Sequence, residues 1–270
     1  MNHRGQAGLD TFDETSLFDV RGKTVLITGG SGGLGLMMAE GFLRAGARVT
    51  IVGRRAQPLE AARESLSRHG EVHAVACDLG TPEGVDTLVA AVRERESALH
   101  VLVNNAGAAV SARFEEYPDS AWQQLLALNL QAPFMLAQGL LPLLERGASE
   151  EDPARIINIG SVAGLKTSSS KAFAYGPSKA ALHHLTRELA RELAPRRILV
   201  NAIAPGFFPS SMTEPYLADE ERRSRVLKGI PLRRTGSAPD IAGLAIFLSS
   251  RAGAYVTGTV IPLDGGVTVS

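Results

Sequence analysis

Apolar positions along the chain follow two rhythms. Short, nearly continuous aliphatic runs recur at Val25–Ile27, Ala47–Val52, Val72–Ala76, Val101–Val103, Arg155–Ile159, Leu199–Ile203 and Val260–Leu263. Their length suits strands, and the lack of a polar alternation suits strands covered on both faces. Between them, apolar residues return every three or four positions, as one face of a helix does. Such stretches run over Leu34–Leu43, interrupted only by Gly41; over Pro58–His69, opened by its proline; and through Val85, Leu88, Val89 and Val92. A long one covers Asp119–Glu145, with Trp122, Leu125, Leu126, Leu130 and Phe134 apolar and prolines at 133 and 142, followed by Tyr175–Leu193 and Ala238–Ser249. Strands alternating with helices, joined by right-handed crossovers, predict one α/β domain: a doubly wound parallel sheet of about seven strands with helices on both faces. Residues 1–18 show neither rhythm and read as an N-terminal extension, leaving 19–270 as the domain.

Composition narrows the function. The chain has 270 residues with 28 basic and 28 acidic side chains, so its formal net charge is zero and nothing at whole-chain level favours nucleic acid or an anionic membrane. A small-molecule ligand is expected. No uncharged apolar run approaches the roughly 18 residues of a membrane helix, and Met1–Phe18 has acidic residues instead of the apolar core of a secretory signal, which predicts a cytoplasmic protein. Cys77 is the only cysteine and falls in Val72–Cys77, read as a buried strand. It is expected to be a packed core thiol, with no thiolate cluster and no metal.

The candidate chemistry begins at Lys23–Gly35, a strand, a turn with glycines at 29, 30, 32, 33 and 35, and a helix start. Such glycines permit positive φ and let a pyrophosphate approach the amides at a helix N-terminus. After the second strand come Gly53, Arg54 and Arg55. A carboxylate at that place bonds a ribose 2′-hydroxyl, whereas a guanidinium can grip a 2′-phosphate, so the expected cofactor is NADP(H) rather than NAD(H). Asn104-Asn105-Ala106-Gly107 follows the fourth strand, where small residues admit a ribose at the ligand edge of a parallel sheet. Strand five delivers Ser161, and Tyr175 and Lys179 stand four apart on one helix face. A lysine ammonium beside a phenol favours phenolate and a bound oxidised nicotinamide adds positive charge, so the Tyr175 pKa is expected to move down toward working pH, with Tyr175 as general acid in reduction and Ser161 donating to a carbonyl oxygen. His183 and His184, farther down the same helix, read as packing or surface residues.

Taken together, Thr28-Gly29-x-x-x-Gly33-x-Gly35, Asn104–Gly107, Asn129, Ser161, Tyr175-x-x-x-Lys179 and Pro205-Gly206 resemble, in order and spacing, the short-chain dehydrogenase/reductase family from about Asp19 to Gly266. The resemblance implies a Rossmann-like fold. It implies that Asn129, Ser161, Tyr175 and Lys179 are catalytic, Lys179 also bonding the nicotinamide ribose and Asn129 holding a water that leads to Lys179; Pro133, unable to offer an amide, would leave the Asn129 carbonyl free for it. It implies cofactor contacts from Gly29, Ser31, Gly33, Leu34, Gly35, Arg54, Arg55, Asp78, Leu79, Asn105, Ala106, Gly107, Tyr175, Lys179, Pro205, Gly206, Phe208 and Ser210. Asp78 would bond the adenine amino group, its alternative being an N-cap for the next helix. Residues 207–232, with Phe207, Phe208, Met212, Tyr216 and Leu217, would form a mobile substrate lid, and the long helices would pair in a homotetramer or homodimer. Ile156–Gly164, Ala174–Leu182 and Phe114–Trp122 are most similar to NADPH-dependent β-ketoacyl reductases, so the leading expectation is reduction of a small-molecule ketone to a secondary alcohol. Two departures stand out: Gly32, where many NADP-dependent members are basic, and Met135, where ketoreductases that take carrier-bound substrates often are. A sugar, polyol or steroid alcohol dehydrogenase is the alternative, with a non-catalytic cofactor-binding redox sensor behind it.

Overall fold

The computed structural model describes residues 16–167 and 171–270, apart from the side chains of Pro215 and Tyr216. The N-terminal extension read from the sequence lies outside the described residues except for its last three positions. In chain order the elements are β1 (Thr24–Thr28), α1 (Gly33–Arg44), β2 (Arg48–Gly53), α2 (Ala56–Ser67), β3 (Val72–Ala76), α3 (Pro82–Arg95), β4 (Val101–Asn104), α4 (Ser120–Leu126), α5 (Ala132–Gly139), α6 (Leu141–Gly147), β5 (Ala154–Ile159), α7 (Tyr175–Leu193), β6 (Ile198–Pro205), α8 (Glu214–Leu217), α9 (Glu220–Lys228), α10 (Ala238–Ser249) and β7 (Val260–Leu263). The strands form one sheet in the order β3-β2-β1-β4-β5-β6-β7, every neighbouring pair parallel.

Alternate strand residues feed two cores, which is why the strands read as unbroken apolar runs. Val25, Ile27, Val101 and Val103 pack with Phe42 of α1, Leu59 of α2 and Ile241 of α10 on one face. Leu26, Leu102, Ile156 and Val200 pack with Leu88 of α3, Leu136 of α5, Leu144 of α6 and Leu189 of α7 on the other. Among the described residues no single helix is long and apolar enough to cross a membrane.

Three sequence expectations change. The stretch Asp119–Glu145 is not one helix: α4 passes through a π-helical segment, Ala127–Gln131, into α5, and the chain bends by 61° before α6. Both breaks lie beside prolines, since Pro133 and Pro142 have no amide for the carbonyls four residues back. Pro58 does not open α2, which begins two residues earlier with Arg55 as its N-cap. Cys77 lies just past β3 and is half-buried, and burial pushes its thiol up to about 11.

Charge is buried at the end of the sheet away from the strands' carboxyl ends. Arg155, the second residue of β5, is 1% exposed; its Nε donates to Leu248 O at 3.0 Å and its Nη2 to Ser250 O at 2.9 Å. Lys23 donates to Ser249 O at 2.9 Å and to Asp152 Oδ1 at 2.7 Å, and Asp152 also meets Arg155 at 3.3 Å. The last carbonyls of α10, which have no partner within the helix, are thus met by two cations at the negative end of its dipole. Burial lowers the pKa of both Lys23 and Arg155, and Asp152 works against that shift in each.

Candidate active site

The strand order reverses between β1 and β4, and a cleft must open at their carboxyl ends because the chain leaves them toward opposite edges of the sheet. Thr28 and Asn105 close its floor. The Thr28 hydroxyl accepts from the amides of Asn105 and Ala106, both at 2.9 Å, and Asn105 Nδ2 donates to Thr28 O at 2.8 Å and Gly29 O at 3.1 Å. Gly29 has φ +68°, and a Cβ there would lie 2.8 Å from Asn105 Nδ2, so the turn into α1 needs glycine for both conformation and space. No side chain caps the N-terminus of α1.

Above this floor lies a cavity of about 520 Å³. At one end are Gly29, Ser31, Gly33 and Leu34 with Arg55; along the floor are Asn105, Ala106 and Gly107; Ser161, Tyr175 and Lys179 form one wall, and Pro205, Gly206, Phe208 and Ser210 the other. Five residues named from the sequence do not line it. Gly35 lies under Gly29 O, so its lack of a side chain serves helix packing. Leu79 turns into the α3-side core. Arg54 and Asp78 face each other outside, Nη1 to Oδ2 at 3.9 Å with the arginine side chain 74% exposed. The N-cap alternative for Asp78 fails: Thr81 caps α3, its hydroxyl accepting from Gly84 N at 3.1 Å, while Asp78 accepts from Gly80 N. Asn129 is buried in the π segment behind Gly107, where it exchanges hydrogen bonds with the Ala108 backbone (3.0 and 3.1 Å) and donates to Ser178 Oγ at 3.0 Å.

The proton-bearing wall is built by two elements. β5 ends at Ile159 and hands over to Ser161, whose Oγ accepts from Ala163 N at 3.1 Å, leaving the hydroxyl hydrogen to be donated. The first turns of α7 supply Tyr175 and, one turn on, Lys179, whose Nζ lies 5.8 Å from the Tyr175 ring centroid and donates to Ile159 O at 2.8 Å. The expected lowering of the Tyr175 pKa is not found in the protein alone. Burial raises it, and the hydrogen bond with Ser161 only partly opposes this. Burial also brings Lys179 down to about 8.

Sequence reading missed Pro58, Gly160, Ser211 and Thr213, which also line the cavity, as does Met212 of the expected lid. For Thr213 a local signal existed: three residues after Ser210, its hydroxyl accepts from Ser210 N at 3.0 Å and donates to Phe208 O at 2.5 Å, a hydroxyl-closed turn. The segment expected to act as a lid carries α8 and α9, and α9 buries none of its residues.

The chain matches the family model described as Enoyl-(Acyl carrier protein) reductase over residues 29–268. It is 48% identical to the rhamnolipids biosynthesis 3-oxoacyl-[acyl-carrier-protein] reductase of Pseudomonas aeruginosa, covering 92% of this chain and 97% of that one. It is 34% identical to gluconate 5-dehydrogenase of Gluconobacter oxydans, covering 94% and 98%. Among solved structures, the Pseudomonas aeruginosa RhlG/NADP active-site complex superposes with a TM-score of 0.91 at 47% identity, covering 94% of this chain and 99% of that one. With a seven-stranded parallel sheet, a glycine turn at its switch point and a serine, tyrosine and lysine on one wall of the cleft, this chain belongs to the short-chain dehydrogenase/reductase family of oxidoreductases.

Proposed function

We propose that this protein reduces a ketone of β-ketoacyl type to a secondary alcohol with NADPH. The observation that carries the reading is one cavity holding an anion-accepting helix N-terminus at one end and Ser161, Tyr175 and Lys179 on its wall. The cofactor is NADP(H). Its fit is supported by the open N-terminus of α1 and by the small residues Ala106 and Gly107 on the cavity floor. Bound there, the reduced nicotinamide supplies the hydride. Gly29, Ser31, Gly33 and Leu34 would hold its phosphates, Asn105, Ala106, Gly107 and Lys179 its riboses, and Pro205, Gly206, Phe208 and Ser210 its nicotinamide end. Tyr175, a half-buried phenol that desolvation keeps neutral, gives its proton to the carbonyl oxygen; Ser161 donates a hydrogen bond to the same oxygen; Asn129 braces the floor behind Lys179.

An acyl substrate is favoured over a polyol by a second cleft of about 500 Å³ that shares Tyr175 and is walled by Leu165, Ala172, Phe173 and Pro177, with Lys166, Thr167 and Lys171 also in its lining. The polyol reading keeps the support of the relative that is a gluconate 5-dehydrogenase. Steady-state assays on β-keto esters and thioesters, cyclic ketones and polyols decide between them: turnover confined to polyols would overturn the ketoacyl reading.

Selection of the 2′-phosphate rests on Arg55 in the cavity wall and Arg54 beside it. A side chain at position 53 would press on Ser31 Oγ and Leu59 Cδ1, both 3.3 Å from a Cβ there, so a ribose-binding carboxylate would have to displace them by a few tenths of an ångström. NADPH should therefore bind at least ~10-fold tighter than NADH, as a charge-assisted pair of roughly 1.5–3 kcal/mol requires. Changing both arginines to serine should erase the preference in a fluorescence titration. Equal affinity for the two cofactors in the unaltered protein would refute the assignment.

Lys179 gives a pH dependence with a definite sign. Its ammonium is the form that favours phenolate and bonds a ribose, and in the free protein it loses its proton near pH 8. The value of kcat/KM for NADPH, which reports the free enzyme, should fall above about pH 8, by ~10-fold per further unit. A flat profile to pH 10 would show that the charge on Lys179 is not needed.

A homotetramer, with a homodimer as its minimal form, is the proposed assembly in a cytoplasmic protein. An exposed groove of about 640 Å³ between α5 and α7 is lined by Leu130, Phe134, Met135, Ala181 and Leu185, apolar area that a second copy would cover. Light scattering at micromolar concentration should give a multiple of the 28.5 kDa chain mass, and a monomer would end this proposal.

A further inference from the structure

One buried titratable group takes no part in the chemistry above. His183 follows Lys179 by one helical turn and Tyr175 by two, so the three lie along one stripe of α7. It is 2% exposed. Its Nε2 is 3.4 Å from the backbone nitrogen of Ser161, which donates to it, and its Nδ1 is buried without a hydrogen-bond partner among the described residues. The ring sits in a slot made by two missing side chains. A Cβ on Gly160 would overlap the imidazole, and one on Gly164 would lie 2.8 Å from its Cε1. Gly160 and Gly164 bracket the short turn that carries Ser161, so the imidazole grips that turn from below.

We propose that His183 is a positioning residue for Ser161: wedged between Gly160 and Gly164, it accepts the Ser161 amide and so fixes where the serine hydroxyl meets the substrate carbonyl. This rests on the reading of Ser161 as a donor to that oxygen. The geometry divides the work between two anchors. The amide of Ser161 is held by His183, and its Oγ is held by the Ala163 amide at 3.1 Å. With nitrogen and oxygen both tied, the direction of the hydroxyl hydrogen, which faces Tyr175 in the protein alone, is set by the turn. An imidazole can accept only while neutral, and burial together with the nearby charges of Lys179 and Arg187 holds His183 down to about 4.

Two substitutions separate positioning from simple space filling. His183→Leu fills the slot without an acceptor; His183→Gln brings an oxygen that can accept the same amide. In the otherwise unaltered protein, His183→Leu should lower kcat at least ~10-fold with KM for NADPH unchanged, since a misplacement of about 1 Å can cost on the order of 100-fold. His183→Gln should recover most of the loss. In a Ser161→Ala background His183→Leu should cost less than ~2-fold more, because residues that act through one another are not additive. Equal losses from His183→Leu with and without Ser161 would overturn the proposal in favour of a structural role, and so would full turnover of His183→Leu. Should the leucine variant fail to fold, His183→Met, which adapts to irregular space, takes its place in the same comparison. The Ser161→Ala arm tests the underlying reading by itself: unchanged turnover there shows that Ser161 is not the donor, whatever His183 does.

Discussion

Replacing Tyr175 with phenylalanine should lower turnover of a ketone by on the order of 100- to 10,000-fold, the usual range for a lost general acid. NADPH affinity should hardly move. The substitution removes one hydroxyl and leaves the ring, so the cavity keeps its shape and the α1 terminus is untouched. No neighbour can take over the proton. Lys179 Nζ donates to Ile159 O and lies 5.8 Å from the Tyr175 ring centroid, and the Ser161 hydroxyl donates a hydrogen bond without being acidic enough to give up its proton. The direction of the Tyr175 shift fits this role in reduction: burial keeps the phenol neutral, and a neutral phenol is the species that has a proton to give. Lys179→Ala should harm both steps, because that lysine is proposed to bond the ribose as well as to face the phenol. NADPH consumption and a fluorescence titration on the same preparations separate the two effects. Substantial reductase activity in Tyr175→Phe would sink the proposed chemistry.

The fold was legible in its apolar rhythm. β3, β7, α7 and α10 have the bounds that the apolar pattern predicts, although β7 is only partly buried and Ala76, Pro177, Ala180 and Pro262 are exposed. Strand ends were underread where polar residues continue the backbone ladder, as Thr24, Thr28 and Asn104 do. The break at Ala127–Gln131 was signalled only by Pro133, which marks a missing amide but does not say whether the helix kinks or bulges. Of the residues named from the glycine turn and the strand ends, most line the cavity, while Gly35, Arg54, Asp78 and Leu79 do not. The direction of the Tyr175 shift was not, because a spacing of four reveals the neighbouring cation and says nothing of the depth at which both groups lie. His183 and Arg155 were opaque for a related reason. A histidine in a helix and an arginine at a strand start look like packing and surface. Their partners, Ser161 and the carbonyls of Leu248 and Ser250, are 22, 93 and 95 residues away.

Arg155→Met should be the most damaging substitution outside the cavity, costing about 3–5 kcal/mol of unfolding free energy. Methionine fills much of the arginine stem's volume, so lost packing is a small part of that figure. The larger part is unmet polarity. Leu248 O loses the Nε donor and is left without one, which costs about 1–3 kcal/mol for a buried carbonyl, while Ser250 O loses Nη2 and keeps the Gly253 amide at 3.2 Å. The C-terminus of α10 also loses the buried charge facing its dipole, and α10 is the helix packed most extensively on α1, whose N-terminus opens into the cavity. Lys23 limits the damage, since it still holds Ser249 O and Asp152. Arg155→Lys should fall between, keeping the charge and losing the fork that reaches two carbonyls. The control is Arg196→Met, which breaks a pair with Glu145 of similar length, 3.0 Å, between side chains 46% and 43% exposed. Water already serves both of those charges, so its cost should stay under about 1 kcal/mol. Urea unfolding of the three variants at one protein concentration measures the contrast. Equal losses for Arg155→Met and Arg196→Met would mean that the α10 carbonyls find other donors, and that the buried cluster does not hold the helix in place.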